Sequence, residues 1–183
     1  MSPAELSDVE RRLRRTYERA RLRHALLAFA PMVAVVALAA LAGEHAHVAL
    51  LAGAVLLPLG VFALWYGRDA ARGVLPGALG GTFAFTLALC ANQMGHLCTG
   101  EVCMSWCLPA CVAGGTLSGV LVSFVGLKQQ RGAAYWLTAS GVTLPTGALG
   151  CSCIGYAGIA GLAVGFAFAL GLGALATLKA RFG

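Results

Sequence analysis

Residues 96–111 read HLCTGEVCMSWCLPAC, placing four cysteines and a histidine within sixteen positions. Cys151-Ser152-Cys153 adds two more thiols, Cys90 a further one, and His45-Ala46-His47 a pair of imidazoles. Thiols of this density support three kinds of chemistry. They can close disulfides in an oxidising compartment. They can act as reversible sensors of oxidants or metals. With His45, His47 and His96 they are also soft or borderline donors suited to zinc or copper. No pair has the C-x-x-C spacing of a zinc ribbon or of a disulfide oxidoreductase, and His-x-His alone is a weak metal signal. An enzyme is therefore not expected. Cys103, Cys107 and Cys111 are spaced four apart, which predicts one shared face if a single helix carries all three. Cys151 and Cys153 are too close to bond each other comfortably. A bridge from the start of the helix holding Cys107 and Cys111 to the 151–154 turn is the more plausible pairing. Cys90 is expected to behave as a small apolar residue inside its helix.

The elements that position these groups follow from composition. Of 183 residues, 59% are hydrophobic and 11% charged, where a soluble domain carries about a quarter charged. Apolar runs at 25–43, 48–66, 74–94, 106–127, 133–150 and 155–178 contain no Lys, Arg, Asp or Glu. Each predicts a membrane-spanning helix, because backbone in hydrocarbon must satisfy its own hydrogen bonds. The fold expected is all-α, a six-helix transmembrane bundle over 25–183. The first run is read as a retained span rather than a cleaved signal. No Asp, Glu, Lys, Arg or His lies within a span, which argues against transport coupled through a carboxylate relay.

The net charge of +6 is a topology signal rather than a nucleic-acid footprint. All thirteen Lys and Arg fall in the N-terminal segment and in the links 66–73, 128–132 and 179–183. The links 44–47, 95–105 and 151–154 carry none. This alternation predicts a multi-pass protein of a bacterial inner membrane with both termini cytoplasmic. The cysteines Cys98, Cys103, Cys107, Cys111, Cys151 and Cys153 then gather toward the outer face. No direct binding of nucleic acid is expected.

Residues 1–24 are expected to form a cytoplasmic, amphipathic, basic helix. Ser2-Pro3-Ala4-Glu5 has the order of an N-cap, a first-turn proline and a capping-box glutamate. Leu6, Val9, Leu13, Thr16 and Ala20 follow at alternating spacings of three and four, Tyr17 widens the stripe, and arginines fill the other faces. Such a helix can rest on anionic lipid or dock a cytoplasmic protein through Leu6, Val9, Leu13 and Tyr17. Gly-x-x-x-Gly spacings at 77/81, 115/119 and 161/165 predict close helix packing.

The layout resembles that of the NrsF-type bacterial membrane anti-sigma factors. The matching stretches are SWCLPACVAGG, with Cys107 and Cys111, and TGALGCSCIGYAG, with Cys151 and Cys153. The resemblance implies an N-terminal segment that holds an extracytoplasmic-function sigma factor, and outer cysteines that take part in sensing stress or metal. The chain is shorter, richer in cysteine and more basic at its N-terminus than that pattern. Two other functions are compatible with the residues: thiol or metal handling at the outer face, and a bundle that its disulfides merely stabilise.

Overall fold

A computed structural model describes residues 3–42, 46–93, 96–99, 102–129, 132–151 and 155–182. Side-chain detail excludes 3–9, 92–105, 176–182 and a few single positions. Six helices form the molecule: α1 (Pro3–Ala42), α2 (Ala46–Tyr66), α3 (Arg68–Gln93), α4 (Cys107–Lys128), α5 (Ala133–Cys151) and α6 (Tyr156–Phe182). A two-stranded antiparallel hairpin, β1 (His96–Thr99) and β2 (Val102–Ser105), joins α3 to α4. The bundle matches the expected fold class; the hairpin is an addition to it. Five helices are long and apolar enough to cross a membrane, namely all but α5.

α5 departs from hydropathy for a packing reason. Eleven of its nineteen residues are buried, among them Thr138, Thr143 and Thr146. A helix enclosed by other helices need not present apolar side chains to lipid. Two of these threonine hydroxyls bond to backbone within the bundle, Thr146 Oγ1 donating to Val142 O at 2.7 Å. Thr143 Oγ1 donates to the carbonyls of Ala139 (2.7 Å) and, on α3, of Gly77 (3.1 Å). The Tyr135 hydroxyl donates to Val122 O of α4 at 3.1 Å. Ser118 Oγ of α4 donates to Gly80 O of α3 at 2.6 Å.

The most extensive packing joins α3 to α5 and α4 to α6. Both seams depend on glycine at the points of closest approach. A Cβ on Gly73 or Gly77 of α3 would stand 2.7 Å from the carbonyl oxygens of Tyr135 and Ala139 in α5. On the other seam, a Cβ on Gly115 of α4 would overlap the carbonyl of Leu162, and one on Gly165 of α6 that of Val112. The Gly-x-x-x-Gly stripes thus pack inside the molecule, where van der Waals contact drives association of helices in lipid.

The link expected over 66–73 is reduced to one residue. Gly67 has a left-handed φ of 71° and donates its N–H to Ala63 O at 3.0 Å, terminating α2. α3 starts at the next residue. α1 packs on α2 through Ala25, Phe29, Val36 and Ala39, all buried at helical spacing. From Glu10 to Ala20 every residue is exposed, so this part of α1 extends beyond the bundle as an arm.

Candidate functional site: a thiol pair at one end of the bundle

α4 begins at Cys107, after Trp106, which sits at the cap position in a right-handed helical conformation. Pro109 lies in the first turn, where its missing N–H removes no helix hydrogen bond. Cys107 is buried, and Cys111, one turn further, is fully buried. Cys151, the last residue of α5, is fully buried as well. The antiparallel run of α4 and α5 puts both at the same end of the bundle. Both are free thiols packed in one buried cluster. Ala84 and Ala88 of α3, Ala148 of α5 and Leu162 of α6 complete the cluster around them.

α6 closes over the pair at a glycine. A Cβ on Gly158 would stand 2.6 Å from Cys151 O, 3.2 Å from Cys151 Cβ and 3.5 Å from Cys111 Sγ. Residue 158 therefore has space for hydrogen alone while α6 keeps its place. A disulfide has an S–S length of about 2.05 Å and Cβ atoms about 3.8 Å apart. Cys111 and Cys151, packed in one cluster at the ends of two helices, would reach that geometry by a shift of those helix ends. Oxidation would release two protons and two electrons to an acceptor and tie α4 to α5.

The other expected site residues separate into groups. Cys103 does not share the helical face of Cys107 and Cys111. It lies on β2, where the backbone register sets it opposite Cys98 of β1. The reason is the hairpin, whose pairing of 96–99 with 102–105 takes residue 103 out of any helix. The side chains of Cys98, Cys103 and His96 lie outside the described detail, and His45 and Cys153 lie outside the described residues. His47 is exposed in the first turn of α2. Cys90 is exposed on the surface of α3 rather than packed inside it. Among the described residues no three His, Cys, Asp or Glu side chains come together as a metal-binding group.

At the other end, the arm displays part of its expected docking stripe. Leu13 and Tyr17 are 66% and 67% exposed. Leu6 and Val9 lie on α1, with side chains outside the described detail. Thr16 turns its hydroxyl back to Arg12 O at 2.9 Å, and Arg14 pairs with Glu18 at 3.2 Å. Residues that sequence reasoning missed are Gly158, with its closure over the thiols, and Trp65 and Tyr66, which flank the arm where it leaves α2. An aromatic pair at the end of an apolar run was the available signal for the latter.

No protein family, curated protein or solved structure matches this chain.

Proposed function

We propose that the chain is a membrane-embedded regulator that couples thiol oxidation at its outer end to a cytoplasmic partner held by its N-terminal arm. The observation that carries this reading is the packing of Cys111 and Cys151, two free buried thiols from separate helices, into one cluster under Gly158. In the proposed orientation both termini are cytoplasmic and the thiols face an oxidising compartment. An oxidant such as a small disulfide or a hypohalous acid accepts the two electrons. The new bond pulls the end of α5 against α4. α5 packs on α2, and α2 on α1, so a shift of α5 reaches the arm through helices in contact. The resemblance to NrsF-type anti-sigma factors supplies the partner, an extracytoplasmic-function sigma factor docked on Leu6, Val9 and Leu13.

Transcription in the producing cell tests both halves. Leu13→Asp places a charge on the docking stripe, where a buried leucine contributes about 1.5–3 kcal/mol. We expect it to switch on a discrete set of promoters without stress. Cys111→Ser should leave those promoters silent when oxidant is added. An unchanged transcript profile for Leu13→Asp, with the protein inserted at normal abundance, would overturn the sigma-factor reading. A Cys111–Cys151 bond found constitutively closed in unstressed cells would make the pair a structural tie and remove the sensor.

A further inference from the structure

The seam between α1 and α2 has a cationic head and an apolar tail. Where the arm passes the last turn of α2, two clefts open on either side of Trp65. One, of about 290 Å³, is lined by Arg14, Tyr17, Arg21 and Tyr66. The other, of about 320 Å³, is lined by Arg15, Arg19 and Leu22. Glu18 borders both and is paired with Arg14. Four arginines against one carboxylate leave the clefts strongly positive. Arg21 is the least exposed of the four, and its guanidinium lies over Gly67, filling the space a side chain there would take. Trp65 and Tyr66 are braced by Phe62, with ring centroids 6.2 and 5.8 Å away.

Further along the same two helices lies an open groove of about 410 Å³ with only apolar residues on its walls, including Leu26, Ala30, Val33, Leu57 and Val61. The second cleft and the groove follow one another along one face of each helix: 15, 19, 22, 26, 30 and 33 on α1, and 65, 61 and 57 on α2. That cleft and the groove form one continuous strip, while the cleft of Arg14 and Arg21 opens on the other side of the seam.

We propose that this strip is a binding site for a single anionic phospholipid, with the phosphate between Arg15 and Arg19 beside Trp65 and an acyl chain in the groove. Charge complementarity selects the headgroup, because an added choline would meet the arginines. The groove selects a lipid over a free phosphate ester, which would leave it empty. Trp and Tyr at the junction match the level of the membrane interface. The site stands independently of the sigma-factor reading, and its occupant would set the angle at which the arm leaves the bundle.

The test uses the full-length protein in detergent, titrated with dioleoyl phosphatidylglycerol or dioleoyl phosphatidylcholine, with bound lipids counted by native mass spectrometry. We expect the first phosphatidylglycerol to bind at least about tenfold more tightly than the first phosphatidylcholine. Each arginine near a lipid surface contributes about a fivefold preference for an anionic headgroup. The double substitution Arg15→Gln and Arg19→Gln should therefore remove most of the difference. Ala30→Phe, which fills the groove, should weaken both lipids alike. Equal binding of the two lipids by the unaltered protein overturns the proposal, whether or not the variants fold. So does a phosphatidylglycerol preference that survives the double substitution. Displacement of the bound lipid by glycerol phosphate would assign the clefts to a soluble ester instead.

Discussion

Gly158 controls access to the two thiols. Its nearest neighbour is the backbone oxygen of Cys151, which cannot swing aside as a side-chain tip can. Gly158→Ala must therefore push α6 away from the ends of α4 and α5. Overpacking of this kind costs about 1–3 kcal/mol, so we expect a lower unfolding temperature in detergent. The displaced helix should also expose Cys111 and Cys151. Their alkylation by a small maleimide, followed residue by residue by mass spectrometry, should accelerate. Cys90 is already on the surface and should react at its former rate. Unchanged alkylation of Cys111 and Cys151 would show that α6 does not cover them. The sequence placed the start of α4 near the region around Cys151, and the structure packs Cys111 and Cys151 together there as free thiols, without the bridge that the spacing suggested. The identity of the glycine that seals them was not legible in the sequence. Many glycines in the spans share the same local signal, and only the approach of a third helix singles out one of them.

At the level of elements, apolar runs gave the ends of the spans to within a few residues, except at the start of α3, expected near 74. α3 starts at Arg68 because a single left-handed glycine suffices to reverse the chain. The hairpin escaped notice because i, i+4 cysteine spacing mimics a helix and eight strand residues carry little pattern. The glycine stripes showed that helices approach closely but not which ones. The structure resolves this as α3 on α5 and α4 on α6, and a pair of substitutions separates tight from open positions. Gly115→Ala places a methyl against the backbone of Leu162, whereas Gly171 in α6 has nothing within 4 Å of a new Cβ. We expect Gly115→Ala to destabilise the bundle by about 1–3 kcal/mol. Gly171→Ala should be neutral or slightly stabilising, since alanine is the better helix former by up to about 1 kcal/mol. Thermal unfolding of both variants in one detergent measures the contrast. Equal unfolding temperatures would mean that the α4–α6 seam is looser than described.

For the whole molecule, the orientation of the two ends turns on α5. Five helices meet the apolar requirement for crossing a membrane, and five crossings would leave the termini on opposite sides. A sixth crossing returns them to the same side, as the clustering of Lys and Arg requires. The packing favours six. α5 is nineteen residues long, about 28 Å at 1.5 Å per residue, close to the roughly 30 Å of a hydrocarbon core. It runs parallel to α3 along much of its length: Tyr135 meets Gly73, Ala139 meets Gly77, Thr146 meets Gly81, and Gly150 meets Phe85. A helix in register with a spanning helix over that length must cross with it. Its threonines escape lipid because α3, α2, α4 and α6 surround it. Single cysteines placed in a background without native cysteine test the consequence. His47→Cys, at the start of α2, should react with an impermeant maleimide in intact cells. Arg72→Cys, at the start of α3, should react only after the membrane is opened. A cysteine replacing Lys128, at the end of α4, should behave as Arg72→Cys does. Epitopes fused to the two termini should both be inaccessible from outside. If the C-terminal epitope alone is reached from outside, α5 does not cross, and the thiol pair could not assemble from α4 and α5 at a single face of the membrane.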